Sequence, residues 1–202
     1  MRERNQAALL SAAERVFARA GFAGATVADI AEEAGIPKPN LHYYYRTKRD
    51  LYRAVLTNIL SLWLTETDAI VPDVDPRSAI EHYVRAKMRF SRDYPEASRV
   101  FANEVLHGAL EIGDFLATEL RALVRAKVRV MRDWIDAGRM AELDPNHLLF
   151  AIWATTQTYA DFGIQVAAVL GKRPSDRLSE RDFAAATDAV VALFLRGTGL
   201  AR

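Results

Sequence analysis

The stretch GFAGATVADIAEEAGIPKPNLHYYYRTKRDLYRAVL, residues 21–56, decides the fold. Gly21 stops a helix whose Leu9, Ala12, Ala13, Val16, Phe17 and Ala20 recur at helical spacing. Thr26 followed by Asp29 has the form of a capping box, with Asp in the usual Glu role. Val27, Ile30, Ala31 and Ala34 then make an apolar stripe that ends at Gly35. Pro37 suits the first turn of a third, short helix, where its missing N–H has no partner to lose. Thr47 caps a fourth helix, with Leu51, Val55, Leu56, Ile59, Leu60 and Trp63 down one side. Only Gly35 and Ile36 separate the second helix from the third, which is the spacing of a helix-turn-helix.

Outward from this stretch the helical period continues. Pro72–Pro76 (PDVDP) breaks the chain, and Ile80, Tyr83, Val84, Lys87 and Met88 carry the next helix to Asp93-Tyr94-Pro95. Further helices are predicted over about 96–107, 114–137 up to Gly138, 144–170 and 180–195, with 171–179 as the one longer loop. No segment alternates in the manner of a strand. The expected fold is all-α with about nine helices. Residues 1–50 are expected to form a helix-turn-helix domain and residues 51–202 a ligand-binding and dimerisation domain.

Bulk properties narrow the function. Of the 202 residues half are apolar, enough for a sizeable core, and the absence of cysteine excludes disulfides and thiolate metal sites. No run approaches the roughly 20 apolar residues of a membrane span, and the start lacks a signal-peptide pattern, so a cytoplasmic protein without membrane contact is expected. Net charge is +1, so anion binding must be local. Residues 1–53 hold nine Lys/Arg against six Asp/Glu, and residues 54–202 hold 18 against 20, giving about +3 and −2.

On the third helix the period turns Leu41, Tyr44 and Tyr45 inward, with Leu41 and Tyr45 expected in the small core. Lys38, Pro39, Asn40, His42 and Tyr43 face outward, a set of donors and flat groups suited to base edges and phosphates in a major groove. Lys48 and Thr26, each at a helix start, are candidates to hold a phosphate. Tyr44 is divided evenly between core and contact. Arg46 and Arg49 read as solvated charge.

These residues carry a resemblance. The "G-F-x-x-T-x-x-x-I-A-x-x-A-G" run followed by "L-x-x-Y-(aromatic)-x-x-K-x-x-L", within residues 6–56, resembles the DNA-binding domain of the TetR family of bacterial transcriptional regulators. The resemblance implies a two-fold homodimer on a palindromic double-stranded DNA operator, with a C-terminal domain that binds a small molecule and thereby releases the DNA. Tyr45 stands where the family commonly has Phe, and its hydroxyl needs water or a partner. Beyond the shared motif, AVLTNILSLWL, SRDYPEASRVFANEVLHGA and HLLFAIWATTQTYADFGIQV are similar to the pyrimidine-utilisation branch, which implies uracil or thymine as effector. Ala102 and Asn103 depart from the bulkier or sulfur-bearing side chains expected there.

The residues also suggest a pocket without that resemblance. Trp153, Thr156, Gln157 and Ala160 share one side of a helix, and two of them are polar within FAIWATTQTYADF. A planar ligand with alternating N–H and C=O groups would pair with Gln157, Trp63 and Trp153 would flank it, Phe101 would close the cavity, and Asn103 and Glu104 would add polar contacts. The bland alternative pairs Gln157 and Thr156 with protein neighbours and leaves the tryptophans as core. Ala184, Ala185, Val190, Val191, Leu193 and Phe194 make the last helix apolar around most of its girth, which suits a four-helix dimer interface, or else a central core helix. Residues 47–67 run from the phosphate contact to Trp63, so a tilt of this helix would carry an effector signal. Two other classes stay open: a constitutive architectural DNA-binding protein, and an all-α enzyme or metal protein using His107, His147, Glu104 and Asp161. The latter lacks tight ligand spacing and a phosphate loop. No cofactor and no metal is expected.

Overall fold

The computed structural model describes residues 2–65, 69–173 and 176–201. Among these, eleven α-helical segments and one π-helical turn occur and no strand. The first four are α1 (Arg2–Gly24), α2 (Val27–Glu33), α3 (Lys38–Tyr44) and α4 (Lys48–Thr65). They are followed by α5 (Pro76–Asp93), α6 (Pro95–Leu106), α7 (Gly113–Phe115), the π-turn Leu116–Leu120, α8 (Arg121–Asp136), α9 (Pro145–Asp161), α10 (Gly163–Val169) and α11 (Glu180–Gly197).

The punctuation read from sequence is what shapes these ends. Gly21 leaves helical geometry at φ 67°, Gly35 adopts φ 65° after α2, and Gly138 adopts φ 68° after α8. The Thr26 hydroxyl accepts from the Asp29 amide at 3.1 Å and the Asp29 carboxylate accepts from the Thr26 amide at 3.1 Å, completing the capping box. Thr47 and Asp50 make the same reciprocal pair at the start of α4. Pro37 sits one place earlier than expected, as the N-cap of α3, and Pro39 occupies the first turn.

Two expected long helices are each divided. The 114–137 helix carries the π-turn Leu116–Leu120. The 144–170 helix breaks at Phe162 (φ −112°, ψ 28°), just before Gly163, whose entropic cost in a helix interior favours an end there. These two divisions turn nine helices into eleven.

The chain forms two compact units. One comprises Met1–Leu64 with Glu96–Gly113, the other Thr65–Pro95 with Asp114–Arg202. In the first, Leu9, Ala12, Ala13, Val16 and Phe17 of α1 are buried with Ile30, Ala31, Leu41, Leu51, Val55 and Leu56, while Ala20 is exposed. Phe17, Phe22 and Tyr52 add an aromatic cluster, with Tyr52 4.9 Å from each of the two phenylalanine rings. In the second, Ile80, Tyr83, Val84 and Met88 of α5 pack with Met131, Trp134 and Ile135 of α8, Leu149 and Ile152 of α9, and Phe183, Val190, Val191 and Phe194 of α11.

Candidate functional site

The helix-turn-helix presents its third helix as a thin, outward polar strip. Leu41 is fully buried and Tyr45 nearly so, and the Tyr45 hydroxyl accepts a hydrogen bond from Gln6 Nε2 at 3.1 Å, the partner that the extra oxygen required. Lys38, Pro39, Asn40, His42 and Tyr43 are all exposed, Tyr43 at 70%. Tyr44 is half-buried and meets the Tyr43 ring edge-on at 5.3 Å, so one tyrosine braces the other. Tyr43 thus stands as an exposed ring on a helix of seven residues.

Lys48 has a different position from the free phosphate ligand expected. Its ammonium donates to the carbonyls of Phe22 at 2.7 Å and Ala25 at 2.8 Å, and lies 4.6 Å from the Phe22 ring centroid. It closes the carbonyl end of α1 onto the start of α4, a cation placed where helix carbonyls are unpaired. Arg49, read as solvated charge, instead shares Glu111 with Arg53.

That pairing belongs to a clamp between α4 and the segment after α6. The Glu104 carboxylate is buried; it accepts from the Tyr52 hydroxyl at 3.0 Å and from the Glu111 amide at 2.7 Å. Burial, then the bond to Glu104, push the Tyr52 hydroxyl pKa well above its ordinary value. Glu104 therefore ties α4 to the 107–112 loop and is not the open effector contact expected. The loop itself is strained: Gly108 at φ 95° is followed by Ala109 at φ 54°. Asn103 contributes its backbone carbonyl to His107 Nδ1 at 2.7 Å and leaves a half-buried side chain. Trp63 and Phe101, in this same unit, meet edge-on at 4.4 Å.

In the second unit α5 and α9 face each other across a polar seam. Trp153 Nε1 donates to the Tyr83 hydroxyl at 2.7 Å, and the Ser91 hydroxyl donates to the Thr156 carbonyl at 2.7 Å. The Thr156 hydroxyl is fully buried and donates to the Ile152 carbonyl at 2.8 Å, so for Thr156 the bland alternative holds. Gln157 is half-buried, and its amide makes no hydrogen bond among the described residues. Between Tyr83 and Ser91 stands Lys87, only 7% exposed, with Asp161 of α9 as an opposing charge. Sequence reasoning placed Lys87 on the apolar face of α5 without asking why a lysine stood there; a cation at a core position was the available signal.

A groove of about 760 Å³ runs between α9, α10 and α11, lined among others by Tyr159, Phe162, Val166, Val169, Leu170 and Ala185. Phe162, Ile164, Val169 and Leu170 are exposed around α10, and Ala184, Ala185 and Leu193 are exposed on α11 while Val190, Val191 and Phe194 are buried. The last helix thus has a buried face and a second, uncovered apolar face. Among the described residues no helix is long and apolar enough to cross a membrane, and no group of three or more His, Asp or Glu could hold a metal ion.

Comparisons with known proteins agree with this geometry. Residues 9–55 match the family described as bacterial regulatory proteins, tetR family, and residues 56–201 match that of the YcdC-like protein C-terminal region. The chain is 46% identical to the HTH-type transcriptional regulator RutR of Escherichia coli K12 over 171 residues, covering 85% of this chain and 81% of that one. It is 29% identical over 138 residues to the HTH-type transcriptional repressor NicS of Pseudomonas putida, covering 68% and 64%. Among solved structures, the putative transcriptional regulator SCO4942 of Streptomyces coelicolor superposes with TM-score 0.74 at 23% identity over 98% of this chain and 99% of that one. AibR, solved with isovaleryl coenzyme A and operator DNA, does so with TM-score 0.70 at 16% identity over 94% and 97%. These relatives are regulators, which removes the enzyme alternative. A capped three-helix head with an exposed tyrosine, joined to an all-helical second unit and matched along nearly the whole chain, belongs to the TetR family of transcriptional regulators.

Proposed function

We propose that this protein is a homodimeric repressor that binds a palindromic operator and releases it when a planar pyrimidine, uracil or thymine, occupies the second unit. The observation that carries the DNA reading is the exposed row Lys38, Pro39, Asn40, His42 and Tyr43 on a helix otherwise held by Leu41 and Tyr45. Asn40 and His42 are assigned to base edges, and Lys38, Tyr43, Tyr44 and Thr26 to the phosphate backbone. For Lys48 the ammonium is engaged by carbonyls, so it serves the contact by holding α4 against α1, and the phosphate would reach the free amides of the first turn.

The effector reading rests on Gln157, a half-buried amide beside Trp153 that makes no hydrogen bond among the described residues, and on the similarity of three sequence blocks to the pyrimidine-utilisation branch. Identity of 46% to RutR over most of the chain supports the same branch. Trp63 and Phe101 are the aromatic pair at the far end of α4, whose first turn follows the reading helix. A ligand that favours one tilt of α4 changes the distance between two reading heads, and half-sites one helical turn apart tolerate little change. The dimer reading rests on the uncovered apolar face of α11 and the exposed side chains around α10.

Selection of bound duplexes from a random pool tests the whole. A palindrome should be enriched, and uracil or thymine should lower affinity for it at fixed salt. Enrichment of no symmetric site would leave the architectural reading standing in its place.

A further inference from the structure

The seam between α5 and α9 holds a buried charge, Lys87, opposed by Asp161. The core around it is apolar, built from Ile80, Val84, Met88, Met131, Leu149 and Ile152. Replacing a buried ion pair by apolar side chains of similar volume is often neutral or stabilising, so a lysine kept in such a core points to a use outside folding. On α5, Tyr83, Lys87 and Ser91 follow one another at one-turn intervals, and on α9 Trp153, Gln157 and Asp161 do the same. Two hydrogen bonds cross the seam, one a turn to either side of Lys87 on α5: Trp153 donates to Tyr83, and Ser91 donates to the Thr156 carbonyl. Gln157 stands one turn from Trp153 and one turn from Asp161, the residue whose charge acts on Lys87.

We infer that Lys87 is an effector-contacting residue, its ammonium donating to a ring oxo group beside the Gln157 amide, so that the ligand class is a planar cyclic imide. The inference rests on the effector reading above and deepens it. A carboxamide offers one donor face and one acceptor, and it pairs with an N–H next to a C=O. The ammonium is donor-only, so it accepts an oxo or anionic oxygen at its position and rejects an amino group there. Asp161 keeps the ammonium charged when the ligand is absent.

Burial pushes the Lys87 ammonium down to about 8, with Asp161 drawing it back up. The other charges nearby are otherwise engaged or act elsewhere. On α11, Asp188 pairs with Arg85 at 3.0 Å and Glu180 acts on Arg92; on α5, burial pushes the Tyr83 hydroxyl up to about 12. Below pH 8 Lys87 is charged and donates; as pH rises through 8 it becomes neutral and the charge-assisted bond is lost.

Calorimetric titration of the full-length protein with uracil, from pH 6.5 to pH 9, tests this. Wild type should bind uracil at pH 6.5 and lose affinity as pH passes about 8. Lys87→Met should bind about 10- to 100-fold more weakly at pH 6.5, and its residual affinity should lack the step near pH 8. Lys87→Gln, which keeps a neutral donor, should fall between them. A Lys87→Met protein that binds within about threefold of wild type, with the same pH profile, overturns the assignment and leaves the pyrimidine reading intact. Should Lys87→Met fail to fold, the wild-type profile decides: a flat profile overturns the assignment and a step near pH 8 upholds it. A wild type that binds neither uracil nor thymine overturns the pyrimidine reading itself.

Discussion

Tyr52, Glu104 and Glu111 show how single side chains hold the first unit together. Removing the Glu104 carboxylate leaves a buried tyrosine hydroxyl and a backbone amide without acceptors. Glu104→Ala should therefore cost about 2–5 kcal/mol, from two lost charge-assisted bonds, read as a lower urea midpoint. Lys48→Met removes the donor to the Phe22 and Ala25 carbonyls, and should cost about 1–3 kcal/mol before any DNA is present. A Lys48→Met protein of unchanged stability but weakened DNA binding would restore the phosphate role first expected. Glu14 supplies a pH effect. Burial first, then the charge of Glu96, raise its pKa to about 6 against the opposing pull of Arg15. A carboxyl whose folded pKa lies above its unfolded 4.5 binds more protons when folded. It lowers stability above pH 6, and this penalty fades as pH falls from 6 to 4.5. Glu14→Gln should thus raise the melting temperature at pH 7.5 and leave it nearly unchanged at pH 4.5.

The elements are set by their ends more than by their middles. Gly35 holds φ 65°, and a Cβ there meets nothing within 4 Å. Gly35→Ala should therefore cost only the left-handed backbone term, about 1–2 kcal/mol, without a steric clash. Ala109 is the converse, an alanine at φ 54° in the loop that Glu104 and Glu111 fasten to α4. Ala109→Gly should stabilise by about 0.5–1 kcal/mol, checked by thermal melting. The Ser179–Asp182 capping box starts α11, and Lys172 pairs with the same Asp182 at 2.8 Å. Capping residues, glycine stops and apolar stripes were legible because each acts within one turn of chain. The π-turn at Leu116–Leu120 and the break at Phe162 were not, since apolar spacing runs on through both.

At the scale of the molecule, the two apolar faces of α11 matter most. Val190, Val191 and Phe194 serve the core of the second unit, while Ala185 lines the groove and Leu193 is exposed. If that face carries the two-fold contact, Leu193→Glu should convert the protein to single protomers in sedimentation equilibrium. It should weaken operator binding at least about tenfold, since two linked heads bind more tightly than one. A Leu193→Glu protein that sediments as wild type would move the interface elsewhere.

The all-α class, the capped helix-turn-helix, the outward face of α3 and the family resemblance were settled by sequence alone, because they depend on residues within a few turns of each other. Which polar groups are engaged was not. Lys48, Glu104 and Thr156 read as open contacts in sequence, and each is engaged by partners, two of them contributed from 26 and 52 residues away. Lys87 reads as a core position, yet the packing of α5 on α9 sets the charge of Asp161 against it. A buried donor or acceptor must be paired, and its partner is chosen by how helices pack, which no local pattern records.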